Sequence, residues 1–498
     1  MAVHYGGKGP GHTARSLGIG IFDYYVDPVS GSDVAAGTLS APLATVSRAV
    51  TLIGASTNKR VGLKRGTTLR NDPVTATPAG TYFGSYGSGA VPNFFGSSQI
   101  AVSSFSKVGN LYTLSSHTYD PLTLALVDGS GNATKLYMTA LSGGNTAIDP
   151  SAEGEWTWFP GTHASPNLLK FFTAATITGY QVEVPQSGAS RTGLTVNGAN
   201  ATVAGWNVRY WTGSGVVFTG DSTLIASNDV SYNGGDGIDS GQAPKNCVIS
   251  GNLVYYNGQR INGSNGPGDG ISFHSGAGQY SSGVVVGNII VGNTQTGVGN
   301  QSGAQVTVAY NTFQDNYHDF NVYNVADSII GVHNVQYNKF TKTNSTYQSF
   351  LFANGNSAAA NATTQINVRN NTFYAATGYT KTAGSTIEGF TWLLDSNVAK
   401  VPSTVTNFAQ IVASAPVTST NNTINGFGTA VWRTPTFILP GTETGLSTAD
   451  PLLTNGPSGD YTLQAGSPCI NTGTNWGQTR DFTGMVITGT PDRGAFER

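Results

Sequence analysis

The chain has 498 residues and a formal net charge of −2, with Lys and Arg scattered rather than striped, so it lacks the clustered positive charge that nucleic acid binding needs. Charged residues make up 10% of it against a usual ~25%, Gly reaches 66, and 38% hydrophobic content with 22 Tyr, 22 Phe and 7 Trp argues against disorder. No run of about 18 apolar residues is present to span a membrane, and two cysteines cannot build a disulfide framework; Cys247, in an apolar run, reads as a small core residue.

In chain order, residues 1–23 form a Gly-rich arm without the apolar stretch of a secretory signal. That fits a protein kept inside its cell, one released without a signal (as part of a virion), or one whose signal has been removed. Residues 24–28 read as a strand. Residues 40–54 predict a helix, with Pro42 in its first turn and Leu43, Val46, Ala49 and Val50 on one face. Such a helix would plug the open end of a solenoid and hide its strand edges; residues 24–99 are thus expected to hold a cap and the first rungs. Residues 100–185 keep no repeat period and read as an inserted β-rich subdomain.

Between about residues 194 and 375 a short apolar run with an Asn recurs, at Asn207, Asn228, Asn252, Asn288, Asn311, Asn338 and Asn371. The separations are 21, 24, 36, 23, 27 and 33 residues, a base period of 21 to 24 with insertions. Each unit carries apolar stretches of three to five residues split by Gly, Asn and Asp, too short for helices. Asn suits sharp corners, because it tolerates left-handed backbone and its amide can bond along a stacked column. Periodic Leu is missing, and the unit is too short for a propeller blade. The expected fold is all-β: a right-handed single-stranded parallel β-helix, with a core over residues 186–440 and a closing segment over 441–498.

Residues 24–50, YYVDPVSGSDVAAGTLSAPLATVSRAV, resemble the opening segment of many pectate-lyase-like β-helix proteins, and Lys64-Arg65-Gly66-Thr67 and Gly84-Ser85-Tyr86-Gly87 fit the same pattern. The tail from Ala449-Asp450-Pro451 to Asp492-Arg493-Gly494-Ala495-Phe496-Glu497 is similar to the C-terminal segment of many extracellular β-helix proteins. That superfamily includes lyases, hydrolases, epimerases, phage tailspikes and members without activity, so the resemblance implies a fold and leaves the chemistry to the site.

Aligning the rungs on a Gly-apolar step stacks Ser214-Gly215-Val216, Asp236-Gly237-Ile238, Asp269-Gly270-Ile271, Thr296-Gly297-Val298 and His318-Asp319-Phe320. Strand alternation then turns Asp239, Ser272 and His274 outward on one wall, with Asp236 and Asp269 in one corner column about 5 Å apart. Two carboxylates so placed can serve as acid and as base or nucleophile toward a glycosidic bond. Alternatively Asp236, Asp239 and Asp269 could hold Ca2+ in a lyase, with His274, Lys245 or Arg260 as base. Substrate contacts are expected from Arg260, Lys245, His318, Asp319, Tyr323 and, as sugar-stacking platforms, Trp211, Tyr232 and Tyr255. Residues 233–239 and 268–271 resemble the Asp-bearing rungs of polygalacturonases, which implies Asp236 as acid and Asp269 as base; Gly270 stands where that family has a second Asp, and residues 297–299 lack its His. The insertion at residues 258–268, just before Asp269, marks this wall as a working face. Against all this, Asp-Gly is a common turn pair, and each Asp could simply turn a corner.

Three functions follow. The first is a depolymerase of a bacterial capsule, O-antigen, exopolysaccharide or plant glycan; the arm and missing signal fit a tailspike, which implies a homotrimer, a virion partner docked through residues 1–23, and a location outside the cell or on a phage tail. The second is a non-enzymatic adhesin or fibre with the same solenoid. The third is a secreted bacterial lyase or epimerase whose signal has been removed.

Overall fold

The computed structural model describes residues 21–498 except 116, 118–123, 129–132, 138, 141–148, 154, 160–167, 187–190, 259–267, 275–278, 302, 324–330, 345–348, 355–363, 381–382, 389, 406, 413–416, 427–429 and 434–442. Three long parallel sheets run side by side through it. The first has 13 strands, from Tyr24–Val26 to Glu443–Thr444; the second has 11, from Thr68–Arg70 to Thr423–Asn425; the third has 11, from Val74–Ala76 to Ala430–Arg433. One rung contributes one strand to each: Leu224–Ala226, Asp229–Ser231 and Ile238–Asp239 are followed one level down by Cys247–Ser250, Leu253–Tyr255 and Ile271–Phe273. Like residues therefore stack. Val216, Ile238, Ile271, Val298, Phe320 and Leu351 form one inward column, and columns of this kind merge into a core reaching from Val26 to Ile424.

The corners explain the recurring Asn. A residue with left-handed backbone turns the chain, as at Ser227, Gly251, Gly287, Tyr310 and Tyr337, and the Asn that follows it points inward. The backbone N–H and the side-chain amide of Asn228 both donate to Asn252 Oδ1, at 2.9 and 3.1 Å, and the amide also donates to Val203 O. The pattern repeats down Asn288, Asn311, Asn338, Asn371, Asn397 and Asn422. Buried amides so paired satisfy backbone groups that a sharp corner would otherwise strand. Asn207 does not belong to this ladder. It pairs with Asn93 and Asp229 on the outer face, one residue out of step, and the ladder is headed instead by Trp206, whose N–H donates to Asn228 Oδ1. A second ladder that the repeat did not reveal, Asn233, Asn257, Asn293 and Asn316, lines the next corner and is headed by Trp211.

The capping helix is shorter than expected, Val46–Ile53. Asp33 accepts from the N–H of Ala44 and Thr45 and holds that stretch extended, Leu43 bridges Val26 in the first sheet, and Thr45 caps the helix by accepting from Arg48 N–H. Between Ser97 and Pro185 the chain leaves the solenoid to build a 4-stranded and a 5-stranded sheet, with antiparallel pairing throughout except Thr139–Ala140 against Glu155–Phe159. They share a core of their own that includes Trp156 and Phe171. Arg70 and Glu183 tie this insertion to the first rungs at 2.8 Å. The C-terminal segment lies along the flank of the second sheet and its corner with the first rather than across the end: Tyr461 meets Thr341 Oγ1 at 2.7 Å and Ala495 N–H donates to Thr372 Oγ1 in the second sheet, and Trp476 Nε1 donates to Asp395 at the end of a first-sheet strand. Among the described residues no helix is long and apolar enough to cross a membrane.

Replacing Asn311 by Leu would leave Asn288 without its acceptor and take one donor from each of the carbonyls of Val285 and Ala309. We expect a loss on the order of 3 kcal/mol or more in urea unfolding, against less than about 1 kcal/mol for Asn207→Ala, which touches no ladder.

Candidate active site

The second ladder delivers the chain into the third sheet, and three residues after Asn233 comes Asp236. Its Oδ1 accepts the N–H of Asp269 at 2.7 Å, so the two acids of neighbouring rungs are joined through backbone rather than side chain to side chain. Ser272 Oγ lies 2.8 Å from Asp236 Oδ2 and 3.3 Å from Asp239 Oδ1, bridging the two carboxylates. Asp239 faces outward, accepts the N–H of Gly241, and meets His274 Nε2 at 3.2 Å. His274 Nδ1 is in turn 3.1 Å from the side-chain amide of Gln301, which lies in the column of His274 one rung below. One oxygen from each of Asp236 and Asp239 and one ring nitrogen of His274 lie within 4.8 Å of one another.

Asp269 turns the other way. Its carboxylate lies over Gly299, where an added Cβ would stand 2.0 Å from Oδ2, and it accepts the Tyr323 hydroxyl, which also meets Thr296 Oγ1 at 3.0 Å. A side chain at position 299 would expel Asp269, so the Gly is a requirement of the site.

These surroundings separate the protonation of the acids. Burial, then the nearby Asp239, pushes Asp236 up to about 6. Burial acts on Asp239 in the same direction, but the bond and charge of His274 with the Gly241 N–H outweigh it and hold Asp239 below the ordinary carboxylate value. Burial and then Asp236 push Asp269 well above that value. For His274 burial opposes the imidazolium, yet Asp239 foremost, with Asp236 and Asp269, raises its pKa. Near neutral pH the wall therefore offers one carboxyl near its midpoint beside a carboxylate kept ionised, which is the pairing that acid–base chemistry uses.

No curated protein sequence matches the chain significantly. Residues 192–424 match the family model described as a right handed beta helix region. Among solved structures, a pectate lyase, Pel9A, superposes with a TM-score of 0.54 at 15% identity over 95% of this chain and 96% of its own. A complex of XylC with xylose gives 0.57 at 12% identity, over 95% and 98%. The fold is the right-handed, pectate-lyase-like parallel β-helix.

Within that β-helix the other expected contacts scatter. Trp211 is only 1% exposed: its ring packs on Phe94 inside the core and its Nε1 donates to Phe94 O, so it offers no platform for a sugar. Tyr232 is buried in a stack between Tyr210 and Tyr256 at the corner of the second sheet, with Ala125 of the insertion packed into the same cluster. Tyr255 faces out from the second sheet, its hydroxyl on Asp229, around the corner from the acids. Asp319, at 0% exposure, points inward, because its position is the one that Gly237, Gly270 and Gly297 hold in the rungs above. There it accepts from Asn316 Nδ2 and pairs with Lys342 at 3.1 Å, ending the second ladder in a buried ion pair. His318 stays on the wall, but its ring stacks on Phe352 at 4.2 Å and its Nδ1 meets Ser349 at 2.7 Å. Burial and then Lys342 hold it down to about 3, so it is neutral. Lys245 is exposed, with its ammonium over Tyr280. Arg260 and most of the 258–268 insertion lie outside the described residues.

The Ca2+ set expected from sequence is not the group that gathers. Asp269 is turned to Tyr323, and its place beside Asp236 and Asp239 is taken by an imidazole. Ca2+ takes six to eight oxygens, and three of the four carboxylate oxygens of Asp236 and Asp239 already accept from the Asp269 N–H, Gly241 N–H and Ser272. The described donors by themselves supply fewer oxygens than that ion takes.

Lys342→Met would leave the Asp319 carboxyl without its partner in the core; we expect about 3–5 kcal/mol of lost stability by denaturant unfolding, with Lys342→Met/Asp319→Leu recovering much of it.

Proposed function

We propose that the protein hydrolyses glycosidic bonds inside an extended polysaccharide, with Asp236 as the acid and Asp239 as its carboxylate partner. The observation that carries this reading is the pair itself: oxygens within 4.8 Å, one carboxyl lifted to about 6 and the other held ionised by His274. Separations of about 5–5.5 Å between such carboxyls go with a retaining mechanism, in which one carboxylate attacks the sugar and the other protonates the leaving oxygen. Asp269 then acts on the pair rather than the sugar, through its N–H on Asp236. A pectate lyase and a protein solved with xylose share the fold, which supports looking among carbohydrates for the substrate. Among the described residues elimination is the weaker reading, because it needs a free base at a sugar C–H: His274 is engaged by Asp239 and Gln301, and Lys245 by Tyr280, while Arg260 lies outside those residues. An adhesin would need none of this separation between the acids.

The test is turnover of a glycan panel by reducing-end assay. Asp236→Asn and Asp239→Asn should each lose about 10²–10⁴-fold in kcat and remain folded. Asp236 must carry its proton, so activity should fall as pH rises through about 6. Asp239 must have lost its own, so the acid limb should lie below the ordinary 3.8. The raised value of Asp236 favours the folded state at low pH, an advantage lost as pH climbs through about 6; Asp236→Asn should then gain Tm over wild type at higher pH. Dialysis against a chelator should leave the rate unchanged, and a loss restored by Ca2+ would return the site to the lyase reading. Products absorbing near ~235 nm would do the same, since they report a C–H bond broken.

The tailspike form of this reading, a homotrimer docked to a virion through residues 1–23, requires a solution mass three times the 51.6 kDa chain. Light scattering checks it, and a monomer would end that form while leaving the hydrolase.

A further inference from the structure

We infer that the glycan lies along the solenoid axis down the third sheet, and that a sugar several units from the cleaved bond packs on the ring cluster of Tyr317, His318 and Phe352. The inference rests on the hydrolase reading above and adds the surface that holds the rest of the polymer. Phe352 is an outward residue of the third sheet. It stands in the column of Asp239, Ser272, Gly299 and Asn321, while its neighbours Leu351 and Ala353 point into the core. The His318 ring lies flat on it at 4.2 Å, leaving Phe352 half-buried. Tyr317 completes the group, edge-on to His318 at 4.8 Å and 38% exposed.

The cluster belongs to the wall that carries the acids. Asp236, Asp269, Thr296 and His318 follow one another down a single column, so at about 4.8 Å per level His318 is roughly 14 Å from Asp236. Between them lies the ring of Tyr323: an added Cβ at Gly299 would stand 3.1 Å from it, and its hydroxyl reaches up to Asp269. Rings thus occupy the wall from the level of Gly299 to that of Phe352. Tyr317 also stands on the edge where the 258–268 insertion begins. Its N–H donates to Asn293 O as the N–H of Thr294 donates to Asn257 O one level up, and Thr294 Oγ1 meets Gly258 O above that. A polymer cut at an internal bond must continue past the acids. One level of the solenoid is close to the rise of one sugar unit in an extended glycan, so chain and wall keep step, and a sugar about three or four units from the cut reaches the cluster. The C–H faces of a pyranose are apolar and pack on aromatic rings, while its hydroxyls stay at the rim in water.

The experiment measures reducing ends released from xylan, glucan, galactan, polygalacturonate and alginate, and binding to each by affinity electrophoresis. It then follows kcat/KM along an oligosaccharide series, disaccharide to octasaccharide, of whichever polymer is cleaved fastest. Wild-type kcat/KM should rise with length until the chain spans the distance to the rings. Tyr317→Ala and Phe352→Leu should each lower it about fivefold to fiftyfold on the longest members, chiefly through KM, and leave the shortest unchanged. The same length dependence in both folded variants as in wild type overturns the ring subsite and leaves the hydrolase. Polymer binding that Tyr317→Ala weakens, without cleavage by wild type, upholds the subsite and removes the hydrolase. No cleavage, with binding absent or untouched by either variant, overturns both. A solution mass that falls to that of one chain in Tyr317→Ala, with unchanged kinetics, overturns the subsite and assigns the rings to a contact between copies. Should Phe352→Leu fail to fold, Tyr317→Ala decides alone, since that ring is exposed.

Discussion

The asparagine at each corner is the interaction on which the rest of this molecule depends. A solenoid whose strands are two to six residues long has little pairing per rung to define its register, and parallel strands could slip. The amide of each corner Asn closes that freedom, since it must meet the Asn above and the Asn below at once, and a one-residue slip would break every bond in the column. The two ladders divide the work. The first sets the turn into the second sheet along most of the solenoid. The second sets the turn into the third sheet only where the acids lie, from Asn233 to Asn316. Asp236 and Thr296 each stand three residues beyond a ladder Asn, so the height of the column that holds the acids is inherited from the corner.

A site built on such a wall has its own constraint: stacking places chemically similar residues one above another, and three acids on neighbouring levels repel. Here the repulsion is relieved in three ways. Asp236 receives a backbone N–H in place of a neighbouring carboxylate, Asp239 receives an imidazole, and Asp269 folds away over a glycine to a phenol. The outcome is a set of similar side chains with dissimilar proton affinities, which a reaction needing both a donor and an acceptor of protons can use.

Much of the fold was legible because each rung repeats its chemistry. Asn228 to Asn371 announced both period and corner, and the Asp-Gly-Ile and Gly-apolar steps gave the register that brings Asp236, Asp239, Ser272 and His274 together. What was not legible came from places where one position changes partners. Asn207 carries the repeat's letters one residue early, and only the indole of Trp206 in the true corner reveals the shift. Asp319 aligns with glycines, so its carboxylate has nowhere to go but inward, and the Lys342 that receives it comes from the next rung of another sheet. Trp211 and Tyr232 look like sugar platforms by residue type, yet a corner position decides whether a ring is offered to solvent or packed on the rings above and below it. Gln301 could have been found by extending the column of His274 one rung down.

The tryptophans at the heads of the ladders give the solenoid a direction. Trp206 and Trp211 each donate a backbone N–H to the first Asn below but carry no amide oxygen to receive anything from above, while their indoles are spent on Gly84 and Phe94 carbonyls. Nothing can be templated upward from that level. Each lower rung, by contrast, presents a backbone N–H and a side-chain amide N–H to the Asn oxygen of the next, so added repeats have only one end at which to join without a new corner having to be invented. Growth by duplication in such a protein is one-way, and variation in length should accumulate beyond the level where Asp319 and Lys342 bring the shorter ladder to its stop.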